Sequence, residues 1–252
     1  MLKEFYRIMR AEGLKPAFWI GIVCSVLLFG ITWEAAWLRR PTGGAPLVMV
    51  NSFHEQLLTL GVLLILLPTL LILREIQAWP REDKPTSPFI SVGVTLLGLL
   101  YVSMPMALLN LIAFTELGEY TPRRVFLLIF LIWAADTGAY FAGKNFGQHK
   151  LAPSISPGKT WEGWAGGALL TLAVGWAAGY FVPDIALGHR LVAAGVVAIF
   201  GPLGDLAESM LKRSAGVKDS GTFLPGHGGL LDRFDAFLLV LPVLALLQIL
   251  VG

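Results

Sequence analysis

Cysteine is almost absent: among 252 residues there is only Cys24, set inside an apolar run. No intrachain disulfide can form and no thiolate metal cluster can be built. Histidine is scarce too, with four scattered residues, which argues against a zinc centre. Charge is the third shortage. Only 14% of residues are Asp, Glu, Lys or Arg, and their balance leaves a net charge of +2. Long basic runs and acidic tails are missing, so nucleic acid is not an expected partner. No solenoid-type repeat and no low-complexity linker divides the chain.

What remains is apolar. Hydrophobic residues make up 56% of the chain and the mean hydropathy is +0.71. They fall in runs near the roughly 20 residues that a helix needs to cross a hydrocarbon core. The expected fold is all-α, a polytopic transmembrane helix bundle of about seven spans, with six to nine compatible with the pattern. The spans are placed near 17–38, 57–73, 89–114, 124–142, 163–182, 190–211 and 234–251. Within the third, Ser103-Met104-Pro105 can divide the run into two short helices, since proline removes a backbone donor and clashes one turn back. Residues 1–16 set Leu2, Phe5 and Met9 against Lys3, Arg7 and Arg10, the pattern of an interfacial amphipathic helix. The apolar run after it has no small-residue cleavage site and reads as a retained span.

Lys3, Arg7, Arg10 and Lys15 precede the first span, Lys144, Lys150 and Lys159 follow the fourth, and Lys212, Arg213, Lys218 and Arg233 lie between the sixth and seventh. With seven spans, four precede the second cluster and six the third, so all three clusters share one side, which the positive-inside rule makes cytoplasmic. Two regions follow: an N-terminal transmembrane region, 1–124, with little chemistry, and a catalytic transmembrane region, 125–252, with cytoplasmic loops at 143–162 and 212–233.

Polar residues in apolar surroundings carry the chemistry. An ionised Asp136 in lipid would cost about 2.5 to 3.5 kcal/mol, so it is expected to face a polar interior. The loop after it holds Lys144, then Ser156-Pro157-Gly158-Lys159-Thr160. Small residues and hydroxyls whose amides cradle phosphate oxygens, beside lysines, make Asp136, Lys144, Ser156, Lys159 and Thr160 candidates for substrate binding. Gly158-Lys159-Thr160 is not a Walker A loop, because Pro153 stands where that motif needs glycine.

Asp205, Glu208, Ser209 and Lys212 recur at i, i+3, i+4 and i+7, one helix face. Asp232 and Asp235 are i and i+3 at the head of the last span, so one helix face can present both. Carboxylates gathered this way repel each other unless a cation intervenes, and oxygen ligands suit Mg²⁺. The intervening loop supplies Lys212, Arg213, Lys218 and Asp219, then Pro225-Gly226-His227-Gly228-Gly229, a candidate triphosphate binder of cations and glycines.

The stretch Ser209 to Asp235 reads S-x-x-K-R-x-x-x-x-K-D-x-x-x-x-x-P-G-H-G-G-x-x-D-R-x-D. It resembles the signature of the phosphatidate cytidylyltransferases (CDP-diglyceride synthetases). Trp133 to Tyr140, Gly143 to Gly147 and Ser156 to Gly163 resemble the same family, so the likeness covers about residues 130–240. The resemblance implies an Mg²⁺-dependent nucleotidyltransferase of phospholipid synthesis, with one metal ion or two, making CDP-diacylglycerol and pyrophosphate from CTP and phosphatidic acid. It implies an integral protein of a bacterial cytoplasmic membrane, its active site facing the cytoplasm, and leaves a homodimer open. Carried over by motif position, Asp205, Asp232 and Asp235 would be metal-centre carboxylates. Lys212, Lys218, Asp219, His227 and Arg233 would complete the catalytic set, with Arg213 beside them and Ser209, Gly228 and Gly229 binding substrate. A CTP-dependent enzyme acting on another lipid, such as an archaeal ether lipid, is the nearest alternative. An ion or phosphate transporter is the alternative from another class, though its polar residues should reach both faces.

Overall fold

The computed structural model describes residues 1–37, 61–62, 65–78, 87–115, 118–223 and 228–251. They form two compact units: Met1–Tyr120 with Ser220–Leu231, and Thr121–Asp219 with Asp232–Gly252. The segment 220–231 therefore groups with the N-terminal part, not with the loop that sequence pattern joins it to.

In the first unit, α1 (Leu2–Ala11) is followed by α2 (Phe18–Trp37), α3 (65–77), α4 (Pro88–Gly98) and α5 (Met104–Ala113). The apolar face of α1 was expected to lie on the membrane surface. It is instead buried in protein through Leu2, Phe5, Tyr6, Ile8 and Met9. Tyr6 occupies the space that side chains would take at Gly21 of α2 and Gly98 of α4, and its hydroxyl donates to the Thr95 carbonyl at 3.0 Å. Burial pushes the pKa of that hydroxyl up. The run near Pro105 does not divide. Leu99–Ser103 forms a π-helical stretch that carries α4 directly into α5. Tyr101, whose carbonyl the Pro105 ring would strike in a regular helix, lies within it, and the widened turn absorbs the clash. Asn110 of α5 donates to the Phe29 carbonyl and Thr32 hydroxyl of α2, which satisfies a buried amide between apolar helices.

The second unit holds α6 (Pro122–Phe146), a hairpin of β1 (Lys150–Ala152) and β2 (Ser156–Thr160), α7 (Trp161–Ala177), α8 (Leu187–Ser214) and α9 (Leu231–Val251), whose first residue belongs to the first unit. Small residues every fourth position let α6 and α7 pack backbone to backbone: Ala135, Ala139 and Gly143 face Gly163 and Gly167. A Cβ at Gly167 would stand 2.7 Å from the Ala135 carbonyl oxygen, so the pair tolerates no larger residue there without moving apart.

Two prolines and one kink shape α8 and α9. Pro202 lacks the N–H that would bond the Ala198 carbonyl. The Trp164 indole donates to that carbonyl instead, at 2.7 Å, and so ties α7 to α8. Trp164→Phe keeps the ring but leaves the oxygen unsatisfied, an expected loss of about 1–3 kcal/mol. A thermal unfolding midpoint unchanged in detergent would show that water or lipid replaces the indole. In α9, Phe234 has φ −119 and ψ 15, so the helix is interrupted there, and Asp235 accepts from the Ala236 amide at 2.7 Å.

Five helices among the described residues are long and apolar enough to cross a membrane: Phe18–Trp37, Pro88–Ala113, Pro122–Phe146, Leu187–Ser214 and Leu231–Leu250. The chain is an integral membrane protein of apolar helices, but the expected seven spans are not all met. The 57–73 span lies partly outside the described residues. The 163–182 span corresponds to α7, 17 residues long and continued by a 3₁₀ turn at Ala178–Tyr180, at the lower end of the roughly 17–25 residues that crossing takes.

Candidate active site

The loop expected at 143–162 is largely a hairpin, with Lys150 paired to Thr160 and Ala152 to Ser156. Its end is fastened by Glu162, whose carboxylate accepts from the amides of Gln148 (3.1 Å) and His149 (3.2 Å) and meets His149 Nδ1 at 2.5 Å. The His149 side chain, with these amides, holds the Glu162 carboxyl down to about 2. Because this lies below the ordinary glutamate value of about 4.3, the latch is whole above that pH and is lost only as pH falls toward the depressed value. Neutral and alkaline pH leave it closed. Thr160 caps α7 by accepting from the Gly163 amide at 3.1 Å, so its oxygen already has a structural partner.

α6, the hairpin, the head of α7 and the Pro202 turn of α8 enclose a cavity of about 470 Å³, within the range of about 300–1,000 Å³ that holds ligands of nucleotide size. Asp136, Tyr140, Lys144, Lys159, Thr160, Trp164 and Asp205 line it. Lys159 sits between two partners, with Nζ 2.5 Å from Asp205 Oδ2 and 3.4 Å from the Pro202 carbonyl. Ser209 donates to the other Asp205 oxygen at 3.3 Å. Asp136 and Asp235 are both within electrostatic reach of Asp205 and Lys159. Of the three carboxylates, Asp205 is the one that contacts the lysine. Lys144 lines the same cavity and places its ammonium over the Tyr140 ring, 5.8 Å from the centroid.

Asp232 lies in a second cluster. Lys212 Nζ is 2.5 Å from Glu208 Oε2 and 2.9 Å from Asp232 Oδ1. Glu208 is wholly buried. The helix is interrupted at Phe234, between the two acids, and i, i+3 spacing brings side chains together only in a continuous helix; here Asp232 pairs with Lys212 while Asp235 accepts from the Ala236 amide. Among the described residues no three of His, Cys, Asp or Glu are arranged to hold a metal ion.

The remaining candidates are dispersed. Arg213, Lys218, Asp219 and Arg233 are exposed, and Ser156 opens β2 without lining the cavity. Gly228 and Gly229 belong to the first unit, and His227 lies outside the described residues. Three residues with clear tasks were given none from sequence: Glu208, Glu162 and Trp164. The i, i+4 spacing of Glu208 to Lys212 was a usable signal. The other two act on atoms that only the fold reveals.

Comparison with known proteins decides the family. The profile of the Cytidylyltransferase family matches residues 1–250. The chain belongs to this family. It is 41% identical over 243 residues to the phosphatidate cytidylyltransferase of Bacillus subtilis strain 168, an alignment covering 95% of this chain and 82% of that protein. It is 40% identical over 205 residues to the phosphatidate cytidylyltransferase of Staphylococcus saprophyticus, covering 75% and 77%. The cytidylyltransferase likeness is thus not confined to about 130–240; it takes in the N-terminal helices as well.

Proposed function

We propose that this member of the cytidylyltransferase family transfers the cytidylyl group of CTP to phosphatidate in the cavity between α6, α7 and α8, releasing CDP-diacylglycerol and pyrophosphate. The observation that carries the reading is the pairing of Lys159 with Asp205 in a cavity that Asp136 and Lys144 also line, among helices apolar enough for a bilayer. The relatives, both phosphatidate cytidylyltransferases, supply the lipid acceptor.

A phosphate oxygen of phosphatidate attacks the α-phosphorus of CTP in line, the bond to the bridging oxygen breaks, and its electron pair leaves with pyrophosphate. The nucleophile is already anionic, so no side chain need remove a proton, and the protein's work is positioning and charge neutralisation. Lys159 and Lys144 hold the polyphosphate, Lys159 exchanging its contact with Asp205 for phosphate oxygens. Asp205, Asp235 and Asp136 are oxygen donors of the type that Mg²⁺ takes, but among the described residues no three such residues are arranged as a ligand set, so Asp205, which shares the cavity with the lysines, would hold the ion together with the substrate phosphates. When bound there, Mg²⁺ would neutralise developing charge on the phosphates. Arg213, Lys218 and Arg233, with Asp219, are assigned to drawing in CTP; a part for His227, Gly228 and Gly229 rests on their motif positions alone. Lys212 and Asp232 hold the ends of α8 and α9 together at the edge of the site.

Lys144, Lys150, Lys159, Lys212, Arg213 and Lys218 flank the spans and support a cavity open to the cytoplasm. Single cysteines at Lys150 and Lys218 in a Cys24→Ser background are expected to react with an impermeant maleimide only after the inner face is exposed. Labelling of Lys150→Cys in intact cells would reverse the orientation. The acceptor is tested by pyrophosphate release from CTP: phosphatidate is expected to stimulate it, and stimulation by an ether-lipid phosphate alone would replace the substrate.

A further inference from the structure

Lys159 brings an ammonium into the cavity at the end of a flexible four-carbon stem. Where that charge comes to rest depends on what holds the ammonium and on what holds the strand that carries it. The first is α8, through Asp205 Oδ2 at 2.5 Å and the Pro202 carbonyl at 3.4 Å. The second is the root of the hairpin.

The root is closed from both strands. On the incoming side, Glu162 accepts from two consecutive amides, Gln148 at 3.1 Å and His149 at 3.2 Å. The Trp161 amide donates to the His149 carbonyl at 3.0 Å. On the outgoing side, Thr160 is both the last residue of β2 and the cap of α7. A Cβ at Gly147 would collide with the Gly143 carbonyl and the Thr160 hydroxyl, so the chain leaves α6 by a path that only glycine fits. Lys159 precedes Thr160 directly. Glu162 stands in the first turn of α7 and is not among the residues that line the cavity, so any effect on a ligand there passes through the strand. The His149 ring is 77% exposed, and an exposed ion pair contributes little, so the weight of the contact falls on the two amides.

We propose that Glu162 is a positioning residue for the transfer reaction: by closing the hairpin root it fixes the strand that carries Lys159, and so keeps the ammonium in the cavity when phosphate oxygens replace Asp205. This role rests on the exchange of partners assigned to Lys159 above. While Asp205 holds the ammonium, α8 and the root share the task. Once phosphate takes the ammonium, the root is what keeps the strand in place. A charged acceptor suits that work, because its bonds to N–H groups are stronger than those of a neutral one, and the first turn of a helix favours negative charge.

Two readouts on the full-length protein in detergent, without substrates, test the placement. Amide exchange in Glu162→Gln is expected to quicken about tenfold across 148–152 and 156–160, since bonds to a charged partner exceed those to a neutral one, while α8 stays protected. Acetylation by an N-hydroxysuccinimide ester, followed by mass spectrometry, is expected to rise about three- to tenfold at Lys159 as the hairpin opens locally, and to stay level at Lys144 on α6. Glu162→Asp keeps the charge on a stem one methylene shorter, so it should fold even where Glu162→Gln does not, with smaller changes at the same sites. In equilibrium binding of CTP, Glu162→Gln should weaken affinity about five- to tenfold, and Lys159→Gln more. The double variant should lose no more than Lys159→Gln alone, because a residue that acts through Lys159 then has nothing left to position. Losses that add in the double variant overturn action through the lysine. Exchange and acetylation that match the unaltered protein in Glu162→Gln, or in Glu162→Asp where the first does not fold, overturn the latch itself. An unaltered protein that binds no CTP would strike the proposed reaction, while acetylation of Lys159 would still decide whether Glu162 places it.

Discussion

Asp205→Asn is expected to lower turnover of CTP by at least about 100-fold while leaving the fold intact. The two effects separate because of where the carboxylate stands. Its side chain is 41% exposed and that of its partner Lys159 is 23% exposed. An ion pair so open to its surroundings contributes about 0.2–1 kcal/mol to stability, too little to unfold the protein. Asp136 and Asp235 feel the charge of the same lysine, which lines the cavity with Asp205, so Lys159→Gln should also inactivate. A double variant distinguishes the two readings of the pair. If Asp205 and Lys159 served only each other, removing both would restore activity lost in either single change. The account predicts that the double variant stays inactive and that added Mg²⁺ does not rescue it. Recovery in the double variant would make the contact structural.

Lys212→Met is expected to act in the opposite way, on stability before activity. Lys212 is the cation between Glu208, which is fully buried, and Asp232. Removing it leaves two carboxylates facing each other at the junction of α8 and α9, and breaking a buried pair in this manner costs about 3–5 kcal/mol. The detergent-solubilised variant should unfold at a markedly lower temperature. Lys212→Arg keeps the charge and should recover most of the midpoint. Glu208→Gln in the Lys212→Met background should recover part of it by lowering the repulsion. A Lys212→Met protein as stable as the original, but inactive, would move Lys212 from the ion cluster into the reaction.

Much of the candidate site was legible because membrane helices make polar residues conspicuous. Asp136 and Asp205 stood out as charges in apolar runs and Lys159 as a lysine in a small-residue loop, and the structure brings them to one cavity. What sequence spacing could not supply was continuity of the backbone. Asp232 and Asp235 look like one face only if α9 is regular through Phe234, and it is not. The same limit applies at Pro105, where a break was foreseen and a π-helical stretch carries the chain onward. Amphipathicity of α1 was read correctly from its period, but period does not tell whether the apolar face meets lipid or protein. The N-terminal helices carried no motif to the eye, yet the family likeness runs through them.

The central claim is that the α-phosphorus of CTP ends on the lipid. Purified protein in proteoliposomes containing phosphatidate, supplied with Mg²⁺ and CTP labelled at either the α or the γ phosphorus, tests it directly. The account predicts that α-label enters the organic phase only when phosphatidate is present, while γ-label leaves entirely as pyrophosphate in the aqueous phase. Appearance of γ-label in the lipid would contradict it and show a kinase in place of a cytidylyltransferase.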